Sequence, residues 1–366
     1  MAVGSASSRP ARAPGIVDRK ADHIRINLEE DVDATGVTTG FERYRFVHRA
    51  LPEIDLDNVS PATVFLGRRL RAPLLLSCMT GGTAEARRIN RTLAGAAERF
   101  GVAMGLGSCR VLLEHPEVLP TFAVRDLCPS VPLLANLGAV QLNMGVGVTG
   151  CRRIVDLLDA DALVLHLNPL QEALQPEGDT RFDGLLRRIE GLCATLGVPV
   201  IVKEVGWGIA PDLVAALVEA GVGAVDVAGA GGTSWSEVER HRMHDPVRAR
   251  VAAAFAGWGL PTADAIHLAR RAAPGATLIA SGGIRSGVDL AMAIALGADL
   301  GGIAGSMLRA ADDGPETLDG AITEIVETLR IAMFCAGAAD IGRLAQAGRV
   351  VARGPLDLGA WPPAGR

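Results

Sequence analysis

Asp161-Ala-Leu-Val-Leu-His166-Leu-Asn-Pro-Leu-Gln171-Glu172 passes directly from an apolar run into a cluster of polar side chains. Ala162 to Leu165 reads as a short buried strand, and Gln175-Pro-Glu-Gly-Asp179 beyond it reads as a turn-rich loop. A strand that surfaces into His, Asn, Gln and Glu delivers several polar groups to one rim. Polar residues at a strand end are ordinary, because the following loop must be solvated. The cluster gains weight because other strands of this chain end in the same manner.

Working outward, apolar runs of the same kind recur from Pro73 onward: Pro73–Ser77, Val102–Gly107, Val131–Asn136, Ala162–His166, Pro199–Lys203, Ala224–Ala228, Ala276–Ser281 and Leu300–Gly305. Between them lie stretches such as Ala84 to Phe100, Pro211 to Ala220, Ala263 to Ala273 and Val288 to Leu296, whose apolar residues fall three and four apart. Eight βα units over roughly 230 residues predict a (β/α)₈ TIM barrel. An open doubly wound sheet is the alternative. The barrel is assigned to 73–345, preceded by a disordered tail at 1–17 and an N-terminal extension at 18–72 that packs on it, and followed by a tail at 346–366. The extension contains a hairpin around Thr63–Gly67 and too little apolar sequence for a core of its own.

Composition agrees with this class. Hydrophobic residues make up 49% of the 366 and aromatics only 4%, so the core is Ala, Val, Leu and Ile, which suits strands buried on both faces. The net charge of −5 gives no reason to expect nucleic acid or an anionic membrane as partner. No apolar run approaches the roughly 20 residues of a membrane span. Cys78, Cys109, Cys128, Cys151, Cys193 and Cys335 are scattered without metal-type pairing and read as reduced thiols of a cytoplasmic protein.

In a TIM barrel, functional residues belong at the C-terminal ends of the strands. Gly282-Gly283 after the seventh run and Gly301-Gly302 with Ala304-Gly305 at the eighth let backbone N–H groups and a helix N-terminus approach a phosphate. Glycine that merely permits tight turns is the competing explanation. Lys203 is placed to balance an anionic ring or phosphate, or else to pair with Glu204 or another rim carboxylate. Gly229 to Trp235 reads as a flexible loop carrying Thr233 and Ser234. Met79-Thr80-Gly81-Gly82 and Asn136 suit a planar heterocycle. Gln171 and Glu172, in extended or irregular backbone, point apart, so that one can face a metal and the other a substrate. A single Glu suffices for Mg²⁺ when substrate phosphates supply further oxygens. A general base is the other role open to Glu172. Arg19, Lys20, His23 and Arg110 are cations or potential cations suited to phosphate.

Arg-Lys-x-x-His at 19–23, Met-Thr-Gly-Gly at 79–82, His-Leu-Asn-Pro-Leu-Gln-Glu at 166–172 and Gly-Ala-Gly-Gly-Thr-Ser-Trp at 229–235 carry a resemblance to the type 2 isopentenyl-diphosphate isomerases, FMN-dependent (β/α)₈ enzymes of isoprenoid biosynthesis. The resemblance covers nearly the whole chain between its tails. It implies that Met79, Thr80, Gly81, Ser108, Asn136, Lys203, Thr233, Gly283, Ile284, Arg285, Ala304 and Gly305 hold FMN. It implies substrate contacts from Arg19, Lys20, His23, Ser108, Arg110 and Gln171, Mg²⁺ at Glu172, and catalytic roles for His166, Gln171 and Glu172. Two positions depart from the family's pattern: Cys109 stands where Gln is usual, and Ala228 where a flavin-contacting Ser is common. The second removes one possible hydrogen bond, about 0.5–1.5 kcal/mol net.

The implied reaction is the allylic proton shift between isopentenyl and dimethylallyl diphosphate, with reduced FMN as the proton-transferring group, NADPH as reductant and Mg²⁺ on the diphosphate. Trp235 is a possible wall against cationic charge. A tetramer or octamer is implied as well. The competing functions are another FMN barrel, of the 2-hydroxy-acid oxidase or dehydrogenase type, and a non-catalytic flavin- or phosphate-binding barrel.

Overall fold

The structure is a computed structural model that describes residues 16–346 and 349–352. Those parts of the two terminal tails that fall at 1–15 and 353–366 lie outside the described residues. Eight parallel strands close into a barrel: β1 (Leu74–Leu76), β2 (Ala103–Gly105), β3 (Leu133–Gly138), β4 (Ala162–Leu167), β5 (Val200–Glu204), β6 (Ala224–Asp226), β7 (Leu278–Ser281) and β8 (Leu300–Ile303). Each pairs with its neighbours in sequence, and β8 closes on β1 through Gly301↔Leu74 and Ile303↔Leu76. The doubly wound alternative is thereby excluded, since an open sheet has two edges and this one has none.

The helices follow from local signals. Ala84–Phe100 forms over the expected residues, opened by the Thr83 hydroxyl accepting from Ala86 N–H at 3.0 Å and ended by Gly101 at φ 63°. Its buried side chains, Ile89, Leu93 and Ala97 among them, fall on one face.

Along each strand, side chains alternate between helix-facing and interior positions. Leu75, Ala103, Leu134, Ala162, Val164, Ile201, Ala224, Ile279 and Leu300 form one buried cluster drawn from all eight strands, so they fill the barrel interior. Phe65 and Leu70 join it from the hairpin Thr63–Phe65/Arg68–Leu70, which closes the N-terminal end. Asp161 braces that end, accepting from Arg68 and Arg125, each at 2.6 Å.

Three elements differ from the sequence reading. Residues 16–29 form a helix, α1 (Ile16–Glu29), so Ile16 and Val17 belong to an ordered element and not to a tail. Val350–Ala352 is a strand paired antiparallel with Tyr44–Phe46, which ties part of the segment read as a C-terminal tail to the extension. Pro169–Leu174 is a short helix, α2, entered through Pro169 at its first position, so Gln171 and Glu172 are not in extended or irregular backbone.

Candidate functional site

The next inward position beyond the apolar interior is polar on most strands: Ser77, Asn136, His166, Lys203, Asp226 and Ser281, with Gly105 and Gly302 on the others. Strand alternation alone puts these side chains at the C-terminal mouth. Above them opens a cavity of about 430 Å³, within the range of small-molecule sites. Every FMN, substrate, metal and catalytic candidate named from the sequence lines it, Ile284, Arg285 and Ala304 included.

The floor is a hydrogen-bonded layer. His166 Nδ1 lies 2.8 Å from Asn136 Oδ1. An amide oxygen only accepts, so Nδ1 carries the proton and Nε2 keeps its lone pair. Burial, with the charges of Lys20, Lys203 and Arg19 adding to it, pulls His166 down to about 4. Lys203 donates to Asp226 Oδ2 at 2.8 Å and to Ser281 Oγ at 2.9 Å, and Ser281 donates to Asp226 Oδ1 at 2.6 Å. Its partner is therefore Asp226 and not Glu204, whose Oε2 instead accepts from the backbone N–H groups of Val205, Gly206 and Trp207.

The His166 shift has a measurable consequence. A histidine held neutral in the fold opposes protonation, so the stability associated with it is complete above pH 6.5 and is lost as pH falls from 6.5 toward about 4. That loss amounts to roughly 3 kcal/mol. Urea unfolding of the cofactor-free protein at pH 7.5 and pH 5 is expected to show a smaller loss in His166→Gln than in the parent chain; equal losses would contradict the buried neutral imidazole.

Helix α1 crosses the mouth and brings three basic groups over the floor. Lys20 Nζ donates to Ser108 O at 2.7 Å and lies 5.4 Å from the centre of the Phe122 ring, and burial lowers it to about 8. Arg19 donates to Gln175 Oε1 at 3.2 Å. His23 stacks edge-on against Trp235 at 5.0 Å. Arg110 pairs with Asp179 at 3.0 Å.

Glu239 is the residue that sequence reasoning missed. It sits on α3 (Trp235–Arg242), whose sequence WSEVERHR reads as a solvated charged helix, yet it is buried. Its Oε1 accepts from His23 at 3.0 Å, Gln171 at 2.9 Å and Gln175 at 2.6 Å, and its Oε2 from Arg242 at 2.6 Å. Burial pushes this carboxyl up, but the hydrogen bond and charge of His23, the Arg242 charge and the Gln171 hydrogen bond outweigh it and hold it at about 2. Burial keeps His23 below its usual range, against the pull of Glu239, and because a carboxylate only accepts, the His23 Nε2 carries the proton of this contact.

Glu172 accepts from Asn168 Nδ2 at 2.9 Å through one oxygen and from Asp179 N–H at 2.6 Å through the other, while burial raises its carboxyl. Gln171 and Glu172, successive on α2, share the Asn168 Nδ2 donor, at 3.0 and 2.9 Å, but their remaining contacts diverge, Gln171 to Glu239 and Glu172 to Asp179.

The segment Gly229–Trp235 is not a flexible loop. Gly229, Ala230 and Ser234 N–H groups bond to Ser281, Leu260 and Val32 carbonyls at 2.7–2.9 Å, and Trp235 opens α3. Ala228, just before it, holds φ 39°, a conformation that strains a side chain at the cavity wall. Arg285 donates to Asp33 at 2.6 Å, fastening the residues after α1 to the cavity rim.

Two observations test whether FMN fits. Ser77 Oγ is buried on the cavity floor without a hydrogen-bond partner, so it is available to a polar ring. At the N-terminus of α4 (Gly305–Asp313), a Cβ on Gly305 would come within 3.6 Å of Thr233 Oγ1 and 3.8 Å of an Arg309 nitrogen, so a hydroxyl, a guanidinium and first-turn N–H groups surround one spot suited to a phosphate. Together these suit a phosphorylated planar heterocycle such as FMN.

Residues 169–350 match the sequence profile of the FMN-dependent dehydrogenases. A crystal structure of mandelate oxidase with (S)-2-phenylpropionate superposes with TM-score 0.59 over 92% of this chain and 96% of that one, at 21% identity, a likeness of fold alone. The fold and site thus define an FMN-dependent type of (β/α)₈ barrel. An isopentenyl-diphosphate delta-isomerase from Synechococcus sp. is 55% identical over 92% of this chain and 97% of its own, and one from Nostoc sp. is 52% identical over 90% and 94%. The chain belongs to the isopentenyl-diphosphate delta-isomerase family.

Proposed function

We propose that this protein interconverts isopentenyl and dimethylallyl diphosphate by an allylic proton shift, using reduced FMN and Mg²⁺, with NADPH as reductant. The observation that carries the reading is the cavity in which a polar barrel floor faces the basic residues of α1, set in a chain so similar over its length to enzymes of that name. The protein acts in the cytoplasm as a homo-oligomer, a tetramer or octamer, on this reading.

FMN would be held by Met79, Thr80, Gly81, Ser108, Asn136, Lys203, Thr233, Gly283, Ile284, Arg285, Ala304 and Gly305, all of which line the cavity. Reduced FMN supplies a proton donor and acceptor without net redox change. The chain's own residues do the rest. Arg19, Lys20, His23 and Arg110 attract and orient the diphosphate, and Ser108, whose carbonyl accepts from Lys20, would contact both cofactor and substrate. Glu172 offers a carboxylate to Mg²⁺, the other ligands coming from substrate oxygens and water. No group of three or more His, Cys, Asp or Glu suited to a metal forms among the described residues, and a shared site of this kind needs none.

Gln171, fixed by Glu239, presents its amide to the hydrocarbon end of the substrate, and Trp235 shields the cationic transition state. His166, neutral above about pH 4, serves as an acceptor at Nε2 and not as a resting cationic acid. With the diphosphate drawn to the mouth, the alkene lies in a pocket closed by α1, where water does not compete for the proton. Turnover in deuterated buffer tests the reading: a proton shift through exchangeable groups places solvent deuterium in the product, whereas product free of solvent deuterium would overturn it.

A further inference from the structure

The Lys203–Asp226–Ser281 cluster lies beneath the cavity, and only part of it reaches the surface of the site. Lys203 and Ser281 line the cavity; Asp226 is 1% exposed and does not. The three stand on adjacent strands β5, β6 and β7, with Lys203 and Asp226 directly paired in register. Ile201, Ala224 and Ile279, two residues earlier on the same strands, are interior core, so the cluster's inward orientation is set by strand alternation.

Hydrogen-bond direction is fixed throughout. A carboxylate only accepts, so the Ser281 hydroxyl proton is committed to Asp226 Oδ1, and its lone pair receives Lys203. Lys203 spends a second N–H on Asp226 Oδ2. An ammonium has three donors. The third is left on the cavity side, where a ligand acceptor can take it.

We propose that Asp226 is a positioning residue for the cofactor: it locks the rotation of the Lys203 ammonium so that one N–H meets the flavin ring, and it offsets the lysine's charge so that the ring faces a neutral pair. This rests on the reading of the site as an FMN site. The consequence concerns electron affinity. An uncompensated cation beside a flavin favours its reduced, more electron-rich form, whereas a paired cation does so far less.

The test is the reduction potential of bound FMN in the reconstituted full chain. Asp226→Asn is expected to shift it to a more positive value and Lys203→Met to a more negative one. The double variant, lacking both charges, is expected to return close to the parent. Asp226→Glu, which keeps the charge and moves it by one methylene, is expected to hold the parent potential while lowering kcat with little change in KM. If Asp226→Asn does not fold, the double variant and Lys203→Met carry the same comparison.

A potential unchanged in Asp226→Asn, or a double variant matching Lys203→Met, would overturn the inference while the FMN assignment stands. A parent chain that binds no FMN would overturn the site reading and this inference together. Variants that lose stability while the potential of their bound FMN equals the parent's would reduce Asp226 to a structural ion pair, and the proposal would fall.

Discussion

Glu239→Gln is expected to lower kcat on the order of 10²-fold and to destabilise the protein by about 3 kcal/mol. The kinetic part follows from position: Glu239 never reaches the cavity, but it holds the Gln171 and Gln175 amides and the His23 ring. An amide in its place brings an NH₂ group against one of these donors, Gln171 loses its fixed orientation, and misplacement of about 1 Å in a reacting constellation costs around 10²-fold. The stability part follows from Arg242, whose side chain is 8% exposed and loses its closest carboxylate. Breaking a buried pair by removing one partner costs about 3–5 kcal/mol, and Glu177, 3.0 Å from Arg242, keeps the loss at the lower end.

The pH dependence separates this residue from an ordinary brace. A carboxyl depressed from 4.5 to about 2 contributes stability present above pH 4.5 and lost as pH falls toward 2. The variant should lack that acid-side loss. Thermal unfolding from pH 7 to pH 3, alongside kinetics at matched FMN content, measures both effects. A variant with full kcat would show that Gln171 needs no anchor.

Glu172→Gln is expected to reduce Mg²⁺-dependent turnover by more than about 10²-fold, since outer-shell partners of a metal ligand alone cost 10–100-fold. FMN content should be unchanged, because the cofactor candidates lie on the strand ends and the β7–β8 loops and Glu172 on α2. Gln keeps an oxygen for the Asn168 or Asp179 N–H, so the local fold survives. Turnover equal to the parent's across a Mg²⁺ titration would remove the metal role from Glu172.

Much of this was legible in the sequence because parallel strands buried on both faces leave continuous apolar runs, and in a barrel each run must end at the same rim. His166, Lys203 and Asn136 were visible as the first polar residues after such runs. Asp226 and Ser281 carried the same signal, each two residues beyond an interior position, but a short polar side chain at a strand end also reads as mere solvation. Glu239 had no signal: it lies among the charged residues of WSEVERHR, and it is the tertiary approach of α1 and α2 that surrounds its carboxylate with donors. Pro169 announced a helix start that the polar sequence after it obscured. The pairing of Tyr44–Phe46 with Val350–Ala352 joins segments about 300 residues apart, which short three-residue runs do not specify.

The central claim is isomerisation at a flavin site without net redox chemistry. Its most direct test is anaerobic incubation of the FMN-loaded protein with isopentenyl diphosphate, Mg²⁺ and NADPH, following product and NADPH together. Many molecules of dimethylallyl diphosphate per NADPH oxidised is the predicted result. Reduced flavin with no dimethylallyl diphosphate formed, or product only in step with reductant consumed, would contradict it.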